Sequence, residues 1–295
     1  MRCCISVGLI ISALLVMPQA AMTKPRAVFV ASYEWAIPTP GFGGFSGLDI
    51  RRDGVSFLAL SDSGTTMAGK LTRGSNGGVT AVSAGSIIKL RDETGERVKD
   101  PLDDSEGLAF APNGGFFVSF ELLDRIAWYK DQNSRAMPLE PLPNVDRMVY
   151  NAGPEALAVD VAGAVYTLPE QAWEKGPLPV FRFFKEEWRQ PFGLRQNDSW
   201  SVVGADFGPD GHLYLLERDY WGLIGFKTRV RRVTLAEAGV LAEEVLLETR
   251  AGQHDNLEGL AVWQDKGGAI RLTMISDDNF LRTQRTEFVD YRIEE

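Results

Sequence analysis

Glu106-Gly107-Leu108-Ala109-Phe110-Ala111-Pro112-Asn113-Gly114-Gly115-Phe116-Phe117-Val118-Ser119-Phe120-Glu121 reads as two short strands folded against each other. Residues 108–110 form the first strand, 111–115 supply a turn whose residues suit positive φ, and 116–121 return. The opening of this unit recurs as Ser46-Gly47-Leu48-Asp49-Ile50, Glu155-Ala156-Leu157-Ala158-Val159, Val203-Gly204-Ala205-Asp206-Phe207 and Glu258-Gly259-Leu260-Ala261-Val262. The small anchors Gly47, Gly107, Ala156, Gly204 and Gly259 lie 60, 49, 48 and 55 residues apart. Strands repeating at that spacing without a helical period point to an all-β fold, a β-propeller of four-stranded blades.

Other strands follow from composition. Residues 126–129 and 230–234 fit strands three and four of a blade, while 77–82 and 86–90 fit outer strands of the first. Residues 185–189 are expected to form a helical turn. The end segments 27–35 and 287–293 also read as strands, and in a closed ring such ends share a blade and remove free edges. The reading this favours is six blades closed by the N- and C-terminal strands.

Residues 1–21 read as a signal peptide: Arg2 precedes the uncharged apolar run 5–17, and Ala20 and Ala21 offer a cleavage site. The run is too short to span a bilayer comfortably. A periplasmic or secreted mature domain over residues 22–295 is the expectation, without stable membrane insertion. Cys3 and Cys4 both fall in the leader, so the mature domain would have no disulfide, cysteine nucleophile or thiolate metal site. The formal charge is −9, and removing the leader takes away a further positive charge. Such a surface disfavours nucleic acid as a partner.

Strand direction places residues before each inner strand and after each second strand at one mouth of the ring. Glu106 and Glu121, Glu155 and Glu170, Glu258 with Asp277 and Asp278, Asp62 and Glu217 occupy these positions. Like charges gathered in a partly dry funnel raise one another's pKa unless a cation offsets them. Oxygen ligands drawn from different blades suit Ca2+ first and Mg2+ second. Glu106, Glu155, Glu258, Asp277, Asp62 and Glu217 are the candidate metal ligands, with Asn151, Asn256 and Asn279 as neutral oxygen donors nearby. Each acid taken alone serves equally well to order a turn.

No Gly-x-Ser-x-Gly elbow is present, since Gly44-Phe45-Ser46-Gly47-Leu48 lacks the last glycine, and the two histidines are too few for a zinc cluster. His212, at the head of a strand, reads as structural. His254 leads through Asp255 into an anchor and is a candidate acid or base. Arg218 and Arg282 follow acidic strand ends and are candidates to orient a substrate, though the same geometry suits pairing with neighbouring acids. Tyr220-Trp221-Gly222 would stand on a loop at the same mouth.

Asp104-Ser105-Glu106-Gly107-Leu108, Gly153-Pro154-Glu155-Ala156-Leu157, Asp255-Asn256-Leu257-Glu258-Gly259-Leu260 and Ile275-Ser276-Asp277-Asp278-Asn279-Phe280 resemble the phytase-like family of exported bacterial proteins. The resemblance runs from about Phe45 to the end of the chain. It implies a β-propeller and suggests a hydrolase of a small-molecule ester, most readily a phosphate ester, that needs a divalent cation. Lactone hydrolysis and a non-catalytic propeller that binds a ligand or an envelope protein, with calcium as a structural bolt, are the alternatives.

Overall fold

A computed structural model describes residues 24–143, 153–172, 175–196, 199–236 and 239–295. The expected leader with Cys3 and Cys4, and Asn151, lie outside the described residues.

Five sheets form the described residues, four of them four-stranded and one five-stranded. The first blade holds β2 (Phe45–Ile50), β3 (Ser56–Ser61), β4 (Thr65–Arg73) and β5 (Val79–Ala84), with the two-residue β6 (Ile88–Lys89) also on β4. The second holds β7 (Ser105–Phe110), β8 (Phe116–Phe120), β9 (Arg125–Tyr129) and β10 (Met137–Pro138). The third holds β11 (Ala156–Val159), β12 (Val165–Leu168), β13 (Leu178–Phe184) and β14 (Glu187–Leu194). The fourth holds β15 (Ser201–Phe207), β16 (Leu213–Tyr220), β17 (Phe226–Ala236) and β18 (Gly239–Glu248). The fifth joins β19 (Asn256–Gln264), β20 (Ile270–Asp277) and β21 (Glu287–Glu294) to β1 (Arg26–Glu34) from the other end of the chain.

The expectation of six blades is corrected to five. The terminal strands do not make a blade of their own, because β21 pairs with β20 and β1 pairs with β21. The ends complete the blade that the Gly259 anchor already opens. The helical turn expected at 185–189 is also replaced: Lys185 and Glu186, at φ 53° and 63°, form the tight turn of the β13–β14 hairpin. Two consecutive left-handed residues match the twist of the flanking strands.

Alternation within each strand divides the core among the seams between blades. On β16, Leu213 and Leu215 pack with Ala158, Leu168 and Leu178 of blade three, whereas Tyr214 and Leu216 pack with Leu260, Leu272 and Met274 of blade five. On the first blade, Leu58 and Leu60 meet Phe116 and Val118 of blade two, while Phe57 and Ala59 meet Trp263 and Phe288 of blade five. Trp35, stacked on Phe45 at 5.3 Å between ring centroids, reinforces that last seam.

The anchors are small because the inner strands nearly touch. A Cβ on Gly204 would lie 2.4 Å from the Glu258 carbonyl oxygen, and one on Gly107 would lie 2.8 Å from that of Glu155. Every inner strand except β11 also carries a register shift beside its anchor, at Phe45/Gly47, Ser105/Leu108, Val202/Gly204 and Leu257/Gly259. Such a bulge re-aims the extra residue. In these blades the shift falls at Ser46, Glu106, Val203 and Glu258, the residues just before each glycine.

Candidate functional site

Register identifies the ring of side chains at the mouth. Leu60, Leu168, Leu216 and Ile275 pair with the anchors Gly47, Ala156, Gly204 and Gly259, and Ser119 sits opposite Gly107, its hydroxyl accepting the Gly107 N–H at 2.8 Å. Two residues further along come Asp62, Glu170, Arg218, Asp277 and Glu121. Four acids and one arginine therefore occupy equivalent positions, and Glu106, Glu155 and Glu258 extend beside them from the inner strands.

Glu217 stands one residue out of this register. It shares the face of Leu213 and Leu215, and its buried carboxylate accepts hydrogen bonds from Arg229 Nε at 2.6 Å and Arg231 Nε at 3.0 Å. Glu217, one of the candidate metal ligands, is thus placed away from the ring of acids at the mouth, paired with two arginines inside blade four. Arg218 faces blade five instead.

Arg218 is the bridge of the site. Its guanidinium donates to the Glu258 carboxylate, to Asn256 Oδ1 at 3.1 Å and to Glu170 Oε1 at 3.3 Å. Asn256 Nδ2 in turn donates to Glu258 Oε1 at 2.7 Å. Burial pushes the Glu258 carboxyl up to about 7, with Arg218 opposing and Asp277 and Asp62 adding to the rise. The neighbouring negative charges hold the Arg218 guanidinium protonated more firmly than usual, against its burial.

Glu106 is raised well above the usual carboxylate range by burial and then by Glu155, Glu258, Asp104 and Glu121. Burial likewise raises Glu155, with Glu170 and Glu121 adding to it. Asp104, Glu106 and Glu121 present carboxylate oxygens that all lie within 4.8 Å of one another. The Glu121 carboxylate also accepts the Gly153 N–H at 2.8 Å. This donor set, all oxygen and short of positive charge, fits a hard divalent cation.

Asp62 and Asp277 form a second group. Burial and the Asp277 charge push Asp62 up to about 7, while burial lifts Asp277 to about 6 against the Asn279 N–H. The Gly43-Gly44 pair makes room here: added Cβ atoms would lie 2.5 Å from Asp278 Oδ1 and 2.6 Å from Asp62 Oδ1. The sequence analysis passed over this glycine pair, although a Gly-Gly step before an inner strand is a signal of close approach.

The two other candidates lie apart. The buried His254 ring has Nε2 2.7 Å from the Tyr291 hydroxyl and stacks on Phe29 of β1, and burial lowers its pKa. It does not line the cleft beside Arg218; its ring packs within the closing blade. Arg282 is exposed on the β20–β21 loop.

That cleft, about 590 Å³, opens over blades three, four and five. Its lining is polar at Glu170, Gln171, Ser199, Ser201, Arg218, Asp219, Asn256, Asn279 and Gln284, and apolar or aromatic at Tyr220, Phe226 and Leu281. Asn256 and Asn279, noted in the sequence as neutral oxygen donors, thus share the cleft with Arg218.

No curated protein matches the sequence. Among solved structures, the PQQ-bound aldose sugar dehydrogenase of Streptomyces coelicolor is similar at 11% identity and a TM-score of 0.46, covering 90% of this chain and 98% of that one. Virginiamycin B lyase of Staphylococcus aureus is similar at 14% identity and a TM-score of 0.46, covering 89% of this chain and 84% of that one. Neither protein's activity is carried over. The family model described as phytase-like, esterase-like activity of phytase, matches residues 40–280, and the chain belongs to that family.

Proposed function

We propose that this protein is an exported, calcium-dependent hydrolase of a small-molecule ester, with phosphate esters the first class to test. One observation carries the reading: the mouth gathers Asp62, Asp104, Glu106, Glu121, Glu155, Glu170, Glu258 and Asp277 around the single guanidinium of Arg218. A concentration of buried carboxylates with raised pKa values is stable at neutral pH only when protons or a cation are shared among them.

Asp104, Glu106 and Glu121 would hold the cation, with Glu155 beside them. When bound, calcium supplies positive charge that polarises an ester or phosphoryl oxygen. Glu258, held by Asn256 and Arg218 and poised at about 7, is placed to accept a proton from an attacking water. Arg218, itself on the cleft, holds the Glu258 carboxylate, and Glu170 keeps Arg218 in place.

The test is hydrolysis of aryl phosphates, carboxylic esters, lactones and phytate by chelator-treated mature protein, with and without calcium. Turnover restored by calcium on one class supports the reading and names the chemistry. No turnover on any class, together with a melting temperature raised by calcium, overturns it in favour of a binding propeller.

A further inference from the structure

Among the described residues, seven of the twelve exposed large hydrophobic side chains stand at the acidic mouth, at the end of β16 or on the loops there: Leu123, Tyr220, Trp221, Leu223, Ile224, Phe280 and Leu281. Their concentration around the ionic centre is unlike the scatter of single apolar residues normal on a surface.

The loops hold them rigidly. Tyr220 packs on Phe226 at 5.1 Å between ring centroids, and Trp221 Nε1 donates to Asp219 Oδ2 at 2.7 Å. The β16–β17 tip closes on itself through Trp221 N–H to the Gly225 carbonyl at 2.8 Å. Across the cleft, Asn279 and Phe280 take left-handed conformations at φ 47° and 52°. Their N–H groups are held by Asp277 Oδ1 at 2.7 Å and Asp278 Oδ1 at 3.0 Å. Non-glycine residues enter that region only when the surroundings fix them. The left-handed step leads into Leu281, which lines the same cleft as Arg218, Tyr220 and Phe226.

Charge narrows the ligand further. Among the described residues lining the cleft, Arg218 is the sole cation, and Glu170 and Glu258 already engage it. A polyphosphorylated sugar or inositol needs several free cations and offers nothing to Tyr220 and Leu281. We infer that the substrate of this cleft is an amphiphilic ester: one weakly charged ester head at Arg218 and Glu258, and an aryl or alkyl group against Tyr220, Phe226 and Leu281. This inference rests on the hydrolase reading for the word ester, but its apolar half stands on the cleft wall.

The test measures binding separately from turnover. Titration calorimetry of the calcium-loaded protein compares octylphosphonate with methylphosphonate, and octanoate with acetate. At least one octyl ligand is expected to bind about tenfold or more tightly than its one-carbon or two-carbon counterpart, since each buried methylene favours transfer from water. Tyr220→Ala, at the exposed end of β16, and Leu281→Ser, on an exposed loop, should each shrink that ratio severalfold. Equal affinities within both pairs, or a ratio that both variants leave intact, overturns the inference. Chain-length-dependent binding without turnover of any ester sinks the hydrolase reading alone, whereas turnover with no preference for chain length sinks the amphiphile alone.

Discussion

Arg73 on β4 and Asp290 on β21 meet at 2.8 Å across the seam where the two ends of the ring join. The same guanidinium donates to Thr273 Oγ1 at 3.1 Å and to the Gly77 carbonyl at 3.0 Å, and it lies 4.2 Å from the centre of the Trp263 ring. Asp290 in turn accepts the Val79 N–H at 2.8 Å. One buried ion pair thus ties blade one to blade five through side chain and backbone together.

Removing one partner should expose its worth. Arg73→Ala leaves Asp290 buried with an uncompensated charge, and a loss of about 3–5 kcal/mol in unfolding free energy is expected by denaturant titration. A loss below about 1 kcal/mol would show that the hydrophobic seam closes the ring without the pair.

Arg218→Met keeps an unbranched apolar stem and deletes the guanidinium that Glu258 and Glu170 share. Hydrolysis should be abolished, and the calcium-free protein should lose about 3 kcal/mol at neutral pH because the paired acids are left without a counter-charge. Calcium should restore part of the melting temperature but none of the turnover.

A second pair of acids governs pH dependence away from the mouth. Asp49 accepts the Phe110 N–H at 2.6 Å and Asp206 accepts the Val262 N–H at 2.6 Å, each from the next blade's inner strand. Burial pushes Asp49 up to about 7; burial, with Asp49 adding, raises Asp206 well above its usual range. In the unfolded chain both ionise near pH 4. The folded form therefore retains protons that the unfolded form has lost, and these groups reduce stability as pH rises from about 4 to about 7. Asp206→Asn keeps the acceptor and removes one charge. Its melting temperature should fall less over that interval than the wild type's, and a parallel decline would assign the slope elsewhere.

Gly204→Ala tests the inner ring. The new Cβ would press on the Glu258 carbonyl, a backbone atom that cannot swing aside. A destabilisation of about 1–3 kcal/mol is expected, together with slower turnover, because Glu258, the proposed proton acceptor, would be displaced with its strand. Wild-type turnover in a destabilised protein would separate the two effects.

The anchors were legible because steric crowding at the ring centre demands small residues at a fixed interval. The acids at one mouth were legible from strand direction alone. What local pattern hid was partnership: nothing near residues 27–35 says that their strand joins the Gly259 blade, so the ends suggested a blade of their own. Sequence alone did not separate Glu217 from its neighbour, because the bulge at Val202/Gly204 shifts the pairing, and only the register shows that Arg218 aligns with Asp62 and Asp277. The placement of His254 was hidden for a related reason: its sequence neighbours belong to the mouth, but its ring turns onto Tyr291 and Phe29.

The pairing of β1 with β21 also sets the order of events in folding. Arg26 and Glu294 are 268 positions apart, yet their side chains meet at 3.1 Å. A ribosome makes β1 before any of its partners, so that strand must wait with an unsatisfied edge until the last hairpin arrives. Contacts of such long sequence separation are entropically slow to form, and closure should be the late step that limits the rate. A circular permutant opened at the 160–163 turn, with the present ends linked, would convert this distant pairing into a local hairpin. It should refold faster than the natural order while keeping the same ring.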